Sequence, residues 1–163
     1  LSEAFKSRVS TYNLSEYDED EIVEMLEKRP GVKYPFNREC LRVFSIVGRL
    51  IPRKAIERME EAADLVQLGI LQPEPEALVA KYWENFGADE NGLTHKDREY
   101  MRKLFPDKEI GVESLAAQLG ENRSNLSDDI EPYLMRFGLV DRARGGRKLT
   151  PMGRRFVVAF DDK

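Results

Sequence analysis

Arginine is the residue this chain offers to chemistry. Between Arg136 and Thr150 the bases Arg136, Arg142, Arg144, Arg147 and Lys148 stand against Asp141 alone. Arg144 and Arg147 bracket Gly145-Gly146, with Arg142 and Lys148 just outside them. Guanidinium groups around a glycine tip can come close to a phosphate backbone, where they position a protein on nucleic acid without reading bases. The predicted DNA contact is therefore Arg142, Arg144, Gly145, Gly146, Arg147 and Lys148, blind to sequence. Two more arginines stand apart, Arg8 near the start of the chain and Arg53 directly after Pro52. Other chemistry is thinly supplied. The single cysteine, Cys40, leaves no internal disulfide or cysteine zinc site and fits a reducing cytoplasm. The single histidine, His95, has no second His, Cys or paired carboxylate at ligand spacing, so no metal site is expected, and no Ser-His-Asp set can be assembled around it. No G-x-x-x-x-G-K-[ST] phosphate loop occurs in the 163 residues, and no strand ends in acids that could hold magnesium. These residues by themselves are not expected to hydrolyse ATP.

The elements that must position the basic cluster read as a winged helix-turn-helix. Val112, Leu115, Ala116 and Leu119 fall at helical spacing, and Gly120 is a natural stop. Glu121-Asn122-Arg123 makes the turn. A second helix from about Ser124 carries Leu126, Ile130, Tyr133, Leu134 and Phe137 on one face and ends at Gly138. Two short strands around the Gly-Gly tip then form a hairpin, and Pro151 opens a short closing segment. Helix, turn, helix and hairpin form a nucleic-acid-binding architecture. The second helix would ordinarily be the reader. Here it is read as exposing Asp128, Asp129 and Glu131, which would repel phosphates, so the wing is the expected contact. The other reading of the same hairpin is a solvated basic loop in a protein-binding winged helix.

Upstream, the chain reads as a bundle of four helices. Asp18 and Glu21 make a capping box for a helix to Arg29 that buries Ile22, Met25 and Leu26, and Pro30-Gly31 breaks it. Asn37 caps the next, to about Val47, with Cys40, Leu41, Phe44 and Val47 inward. Pro52 opens a long third helix to about Leu68, and Pro75 a fourth to Phe86. Tyr82 and Trp83 in the fourth are read as core rather than as a base-stacking platform. Gly87 to Leu93 is the linker, and a helix from Thr94 to Phe105 begins the second domain. The expected fold is mainly α, with domains at 18–92 and 93–163 and residues 1–17 as the tail of a preceding one. The net charge of −4 confines any DNA binding to a local patch or to the pooled wings of an oligomer. No apolar run reaches membrane-spanning length.

Three stretches carry a resemblance: the helix GVESLAAQLGE, the segment DDIEPYL with proline inside a helix, and the wing DRARGGRKLTP. Together they resemble the C-terminal winged-helix domain of the RuvB family, hexameric AAA+ motors of Holliday-junction branch migration. Upstream, Gly87–Leu93 is similar to that family's G-V-D-x-x-G-L junction, and the helical bundle to its AAA+ lid. The resemblance implies that Arg8 is an arginine finger acting on a neighbour's nucleotide and that Arg53 is the sensor-2 arginine touching the γ-phosphate in the same subunit. It also implies ATP and magnesium in a parent protein, a homo-hexamer, branched double-stranded DNA, a RuvA-like partner, and a cytoplasmic location. Val9 and Lys6 replace a phenylalanine and an arginine of the family's pattern, and Leu50-Ile51 replaces Gly-Thr before Pro52-Arg53. Those departures keep open a catalytically silent adaptor that binds DNA or protein. A replication initiator, which also joins a lid to a winged helix, is disfavoured by the acidic second helix.

Overall fold

The computed structural model describes residues 15–29 and 34–161, so Arg8 and the stretch around it lie outside the described residues. The fold is mainly α with one two-stranded hairpin. Four helices come first: α1 (Glu19–Glu27), α2 (Arg38–Val47), α3 (Pro52–Gln67) and α4 (Pro75–Phe86). The caps that the sequence promised are formed. The Asp18 carboxylate accepts the Glu21 N–H at 2.8 Å, and Glu21 returns the bond to the Asp18 N–H at 2.9 Å. Asn37 accepts the Cys40 N–H at 2.9 Å. Helices α3 and α4 instead start on Pro52 and Pro75, with no side-chain cap.

What closes this bundle is burial of one stripe from each helix. Ile22, Val23 and Leu26 of α1 meet Leu41 and Phe44 of α2, Ala55 and Met59 of α3, and Leu78 and Tyr82 of α4. Phe44 is packed edge-on by Phe36 at 4.8 Å and by Tyr82 at 6.3 Å between ring centroids. Cys40 is fully buried in the same core, its thiol against the Pro73 carbonyl at 3.3 Å. Each fully buried large apolar side chain contributes about 1.5–3 kcal/mol of transfer free energy.

A second core gathers α5 (His95–Leu104), α6 (Val112–Leu119), α7 (residues 123–136), strands β1 (Val140–Ala143) and β2 (Gly146–Leu149), and α8 (Pro151–Asp161). Helix α7 is not regular. It runs α over Arg123–Asn125, π over Leu126–Ile130 and α over Glu131–Arg136. Pro132 lacks an N–H, and its ring would strike the carbonyl four residues back, at Asp128. Widening the preceding turn moves that carbonyl aside, and the Glu131 N–H reaches back five residues to the Leu126 carbonyl. The segment after Pro151, expected to be short, is an 11-residue helix whose Val157 is fully buried. Its apolar face, with Phe156 and Phe160, covers the second core from outside.

The two cores are tied by polar contacts as well as by Phe137, which packs against both. The stretch from Gly87 to Leu93 is an ordered knot. Asp89 accepts the N–H groups of Asn91 and Leu93, and the Arg98 guanidinium donates to the carbonyls of Leu93 (2.6 Å) and Gly87 (2.5 Å). Burial pushes the Asp89 carboxyl above the usual carboxylate range despite those donors. Trp83, expected in the core, is 48% exposed and lies under Arg98, with its ring centroid 4.7 Å from the guanidinium. The fourth helix turns that face to the seam between the cores rather than into its own bundle.

Gly92 marks the closest approach at this seam. Its φ is +68°, and a Cβ there would sit 2.4 Å from the Tyr133 hydroxyl and 2.7 Å from the Ile46 carbonyl. Among the described residues no helix is long and apolar enough to cross a membrane. Gly92→Ala is expected to destabilise the chain by about 2–3 kcal/mol, from left-handed strain plus overpacking. Urea unfolding of the two proteins measures it, and an unchanged midpoint would disprove the seam as described.

Candidate nucleic-acid interface

The wing is an antiparallel pair with Val140 opposite Leu149, Asp141 opposite Lys148, Arg142 opposite Arg147 and Ala143 opposite Gly146. Arg144-Gly145 is the two-residue tip. Opposite residues share a face, so Val140, Leu149, Arg142 and Arg147 lie on one side and Asp141 and Lys148 on the other. At the root, Val140 and Leu149 are buried in the second core. One step out, two arginines stand side by side, an arrangement that repels unless one charge is matched.

Glu131 matches it. This carboxylate is 0% exposed, and it accepts from Arg147 twice, Nε to Oε1 and Nη2 to Oε2, both at 2.9 Å. The Tyr100 hydroxyl adds a third bond to Oε1 at 3.1 Å. Hydrogen bonding to Glu131 raises the Arg147 pKa, and burial next to that carboxylate raises the Tyr100 pKa. Glu131 was expected on the exposed face of the second helix. The π turn before Pro132 and the inward rotation of the following α turn bring it inside, so Asp128 and Asp129 alone remain exposed of the three. Asp129 is further engaged by Lys54 of α3 at 3.0 Å. The second helix therefore offers phosphate no cation along this stretch, and its flank is docked on the first bundle.

The structure divides the predicted contact residues into two sets. Arg142, Arg144 and Lys148 are exposed and make no ion pair to another described residue. Arg147 is half-buried and committed to Glu131. Gly145 donates its N–H to Glu109 Oε2 at 3.1 Å, so that amide faces protein. Gly146, at φ +139°, lies against the Ile110 carbonyl, where a Cβ would come within 2.2 Å. Ile110 and Arg147 exchange backbone bonds at 3.0 and 2.8 Å, which adds a third short strand-like edge to the hairpin. Acids lie close by: Glu109 at the tip, Asp141 opposite Lys148, and Asp107 paired with Arg154 at 2.5 Å. Glu131, Tyr100, Glu109 and Ile110 were not read as site residues. The proline-bearing DDIEPYL segment did mark the region, but nothing in the spacing says which acid turns inward.

Arg53 lies elsewhere, in the first turn of α3. Its side chain is 88% exposed and touches Glu57 at 3.2 Å, one turn on. The helix start beside it carries no side-chain cap and no acid in its first turn. An uncapped helix start beside a solvent-facing arginine is electrostatically compatible with a phosphate group. Arg8 is outside the described residues, and the wing and Arg53 are not brought together into one site.

The two wing arginines should separate cleanly on mutation. Arg147→Ala leaves a buried carboxylate without its cation and is expected to cost about 3–5 kcal/mol. Arg144→Ala, at the solvated tip, is expected to stay within about 0.5 kcal/mol of the parent. Thermal unfolding monitored by circular dichroism checks both, and equal effects would refute the division.

Comparison with known proteins places this geometry. Residues 90–157 match the family described as the RuvB C-terminal winged helix domain. Subunit RuvB of the Holliday junction branch migration complex from Prochlorococcus marinus (strain MIT 9312) is 28% identical over 153 residues, covering 90% of this chain and 43% of that protein. Its counterpart from Phytoplasma mali (strain AT) is 30% identical over 147 residues, covering 85% of this chain and 43% of the relative. The chain thus spans less than half the length of these curated relatives. The solved structure of the Thermotoga maritima RuvB Holliday junction branch migration motor superposes with a TM-score of 0.75 at 24% identity, over 97% of this chain and 55% of that one. The likeness in fold thus runs through both cores, and the chain resembles RuvB, with residues 90–157 matching the RuvB C-terminal winged helix domain.

Proposed function

We propose that this chain is the lid and DNA-holding part of a RuvB-like, ATP-dependent motor that drives Holliday-junction branch migration. The observation that carries the proposal is the wing: three solvated cations, Arg142, Arg144 and Lys148, on a hairpin that Arg147 anchors to a buried carboxylate. Such a hairpin can contact a phosphate backbone without reading bases, which suits a motor that must accept every sequence. The overall charge of −4 makes each single wing a weak binder, and a homo-hexamer would pool six of them on one duplex arm.

In the parent assembly, ATP with magnesium would supply the driving reaction. Arg53 would sense the phosphate end from the first turn of α3, and Arg8 would act as the finger on a neighbour's nucleotide. The chain's own part is to hold a cation at each of those places and to link α3 to the wing. The resemblance to RuvB adds a RuvA-like junction-binding partner and a place in recombination and repair.

The test uses this chain with four-way junction DNA across a salt series. Replacing Arg142, Arg144 and Lys148 together by Ala is expected to flatten the dependence of log K on log salt by roughly 0.9 per lost contact, between 2 and 3 in total. Base sequence of the junction arms should make no difference to either protein. Unchanged affinity and slope would remove the wing from the DNA and favour a protein-binding adaptor.

A further inference from the structure

The turn between α2 and α3 is the least relaxed backbone among the described residues. Arg49 and Leu50 both take left-handed conformations, at φ +59° and +55°, where neither has glycine's freedom. The turn is locked by backbone bonds from Arg49 to Ile46 (2.8 Å), from Leu50 to Ser45 (3.0 Å) and from Ile51 to Gly48 (3.1 Å). Its strain has a visible result: the Arg49 side chain is thrown away from its own bundle and into the second one.

There, Arg49 Nη2 meets Asp97 Oδ1 at 2.8 Å, with the arginine side chain 12% and the aspartate 0% exposed. The same aspartate closes the capping box of α5 through Thr94. The Arg49 guanidinium also stacks on the Tyr133 ring, 4.5 Å from its centroid. The Tyr133 hydroxyl completes the ring of contacts, donating toward the Asn91 carbonyl (2.8 Å) and lying 3.4 Å from the Ile46 carbonyl. Meanwhile Arg49 Nε is buried with no hydrogen-bond partner among the described residues. A strained turn that buries an incompletely satisfied cation is a poor arrangement for stability alone. It is a good one for joining two bodies at a fixed angle.

What it joins is specific. Arg49 lies four residues before Arg53, in the turn that delivers the first turn of α3. Tyr133 lies two residues after Glu131, the carboxylate that anchors the wing through Arg147. We infer that Arg49 is the positioning residue that couples α3, at its Arg53 end, to α7 and the wing, so that a displacement of the lid moves the DNA contact rather than being lost at the seam. This rests on the motor reading for its consequence, though not for its geometry.

The geometry is tested on this chain with spin labels at Leu68→Cys and Gln118→Cys, exposed positions on either side of the seam; Cys40 is buried and does not compete for label. A single narrow distance distribution is expected. Arg49→Ala should at least double its width, and Arg49→Lys, which keeps the ion pair, should narrow it again. Tyr133→Phe, which keeps the buried ring and removes only the hydroxyl bonds, should broaden it even where Arg49→Ala folds poorly. Junction-DNA affinity of these variants as isolated chains should stay within twofold, because the wing itself is untouched.

The consequence is tested in the full-length motor by the ATP consumed per base pair migrated. Arg49→Ala should raise that ratio at least fivefold while the hydrolysis rate stays within twofold; a merely structural residue would lower hydrolysis and migration together. A distribution as narrow as wild type, or an unchanged ratio, overturns the inference. Loss of DNA binding only in the wing variant, or in no variant, speaks to the motor reading instead and leaves the distance result standing.

Discussion

A carboxylate taken wholly out of water governs this structure. A carboxylate is tolerated inside a core only when its oxygens are engaged, and Arg147 and Tyr100 engage both oxygens of Glu131. That requirement pins the hairpin to α7, because Arg147 cannot leave without stranding the charge. It also resolves the repulsion between Arg142 and Arg147 across the strands, since one of the two is neutralised from below. The wing can then be rich in arginine and still be an ordered element.

The same logic recurs at the seam between the two bundles. Asp97 is as buried as Glu131, and its cation comes from the other bundle through Arg49. Arg98 is spent on backbone carbonyls and Asp89 around the junction, and covers Trp83. Three arginines thus act inward, as ties, while Arg142, Arg144 and Arg53 face solvent. Arginine serves both uses because its planar, forked donor set satisfies a buried carboxylate in two bonds yet keeps its charge in water. What each arginine touches therefore decides whether it ties the fold together or faces solvent.

The helix that would usually read bases is withdrawn from that role by the same packing. Pro132 forces the π turn, the π turn helps carry Glu131 inward, and Lys54 holds Asp129 against the first bundle. What remains exposed on α7 is acidic or neutral over this stretch. The solvent-facing cations of this region are those of the hairpin, Arg142, Arg144 and Lys148.

Much of this was legible in the chain itself, because the signals are local. Caps at Asp18 and Asn37, prolines opening two helices, glycines at Gly120 and Gly138, and apolar spacing in each helix all act within a turn or two of themselves, so they specify helices, breaks and the hairpin. The distinctive proline-bearing segment and the wing likewise carried the resemblance to RuvB. Tertiary structure decided everything that depends on which side of an element faces in. Glu131 and Asp128 are alike in sequence, and a π turn separates their fates; Arg147 and Arg144 flank the same glycines, and strand alternation sends one to a carboxylate and the other to water. Trp83 was a core residue by spacing until a neighbouring bundle supplied Arg98, and the closing segment became a helix because an uncovered apolar face was waiting for it. Charge pairing and burial are settled between residues well separated along the chain, 16 positions for Glu131 and Arg147 and 48 for Arg49 and Asp97, and no local pattern encodes the distance between them.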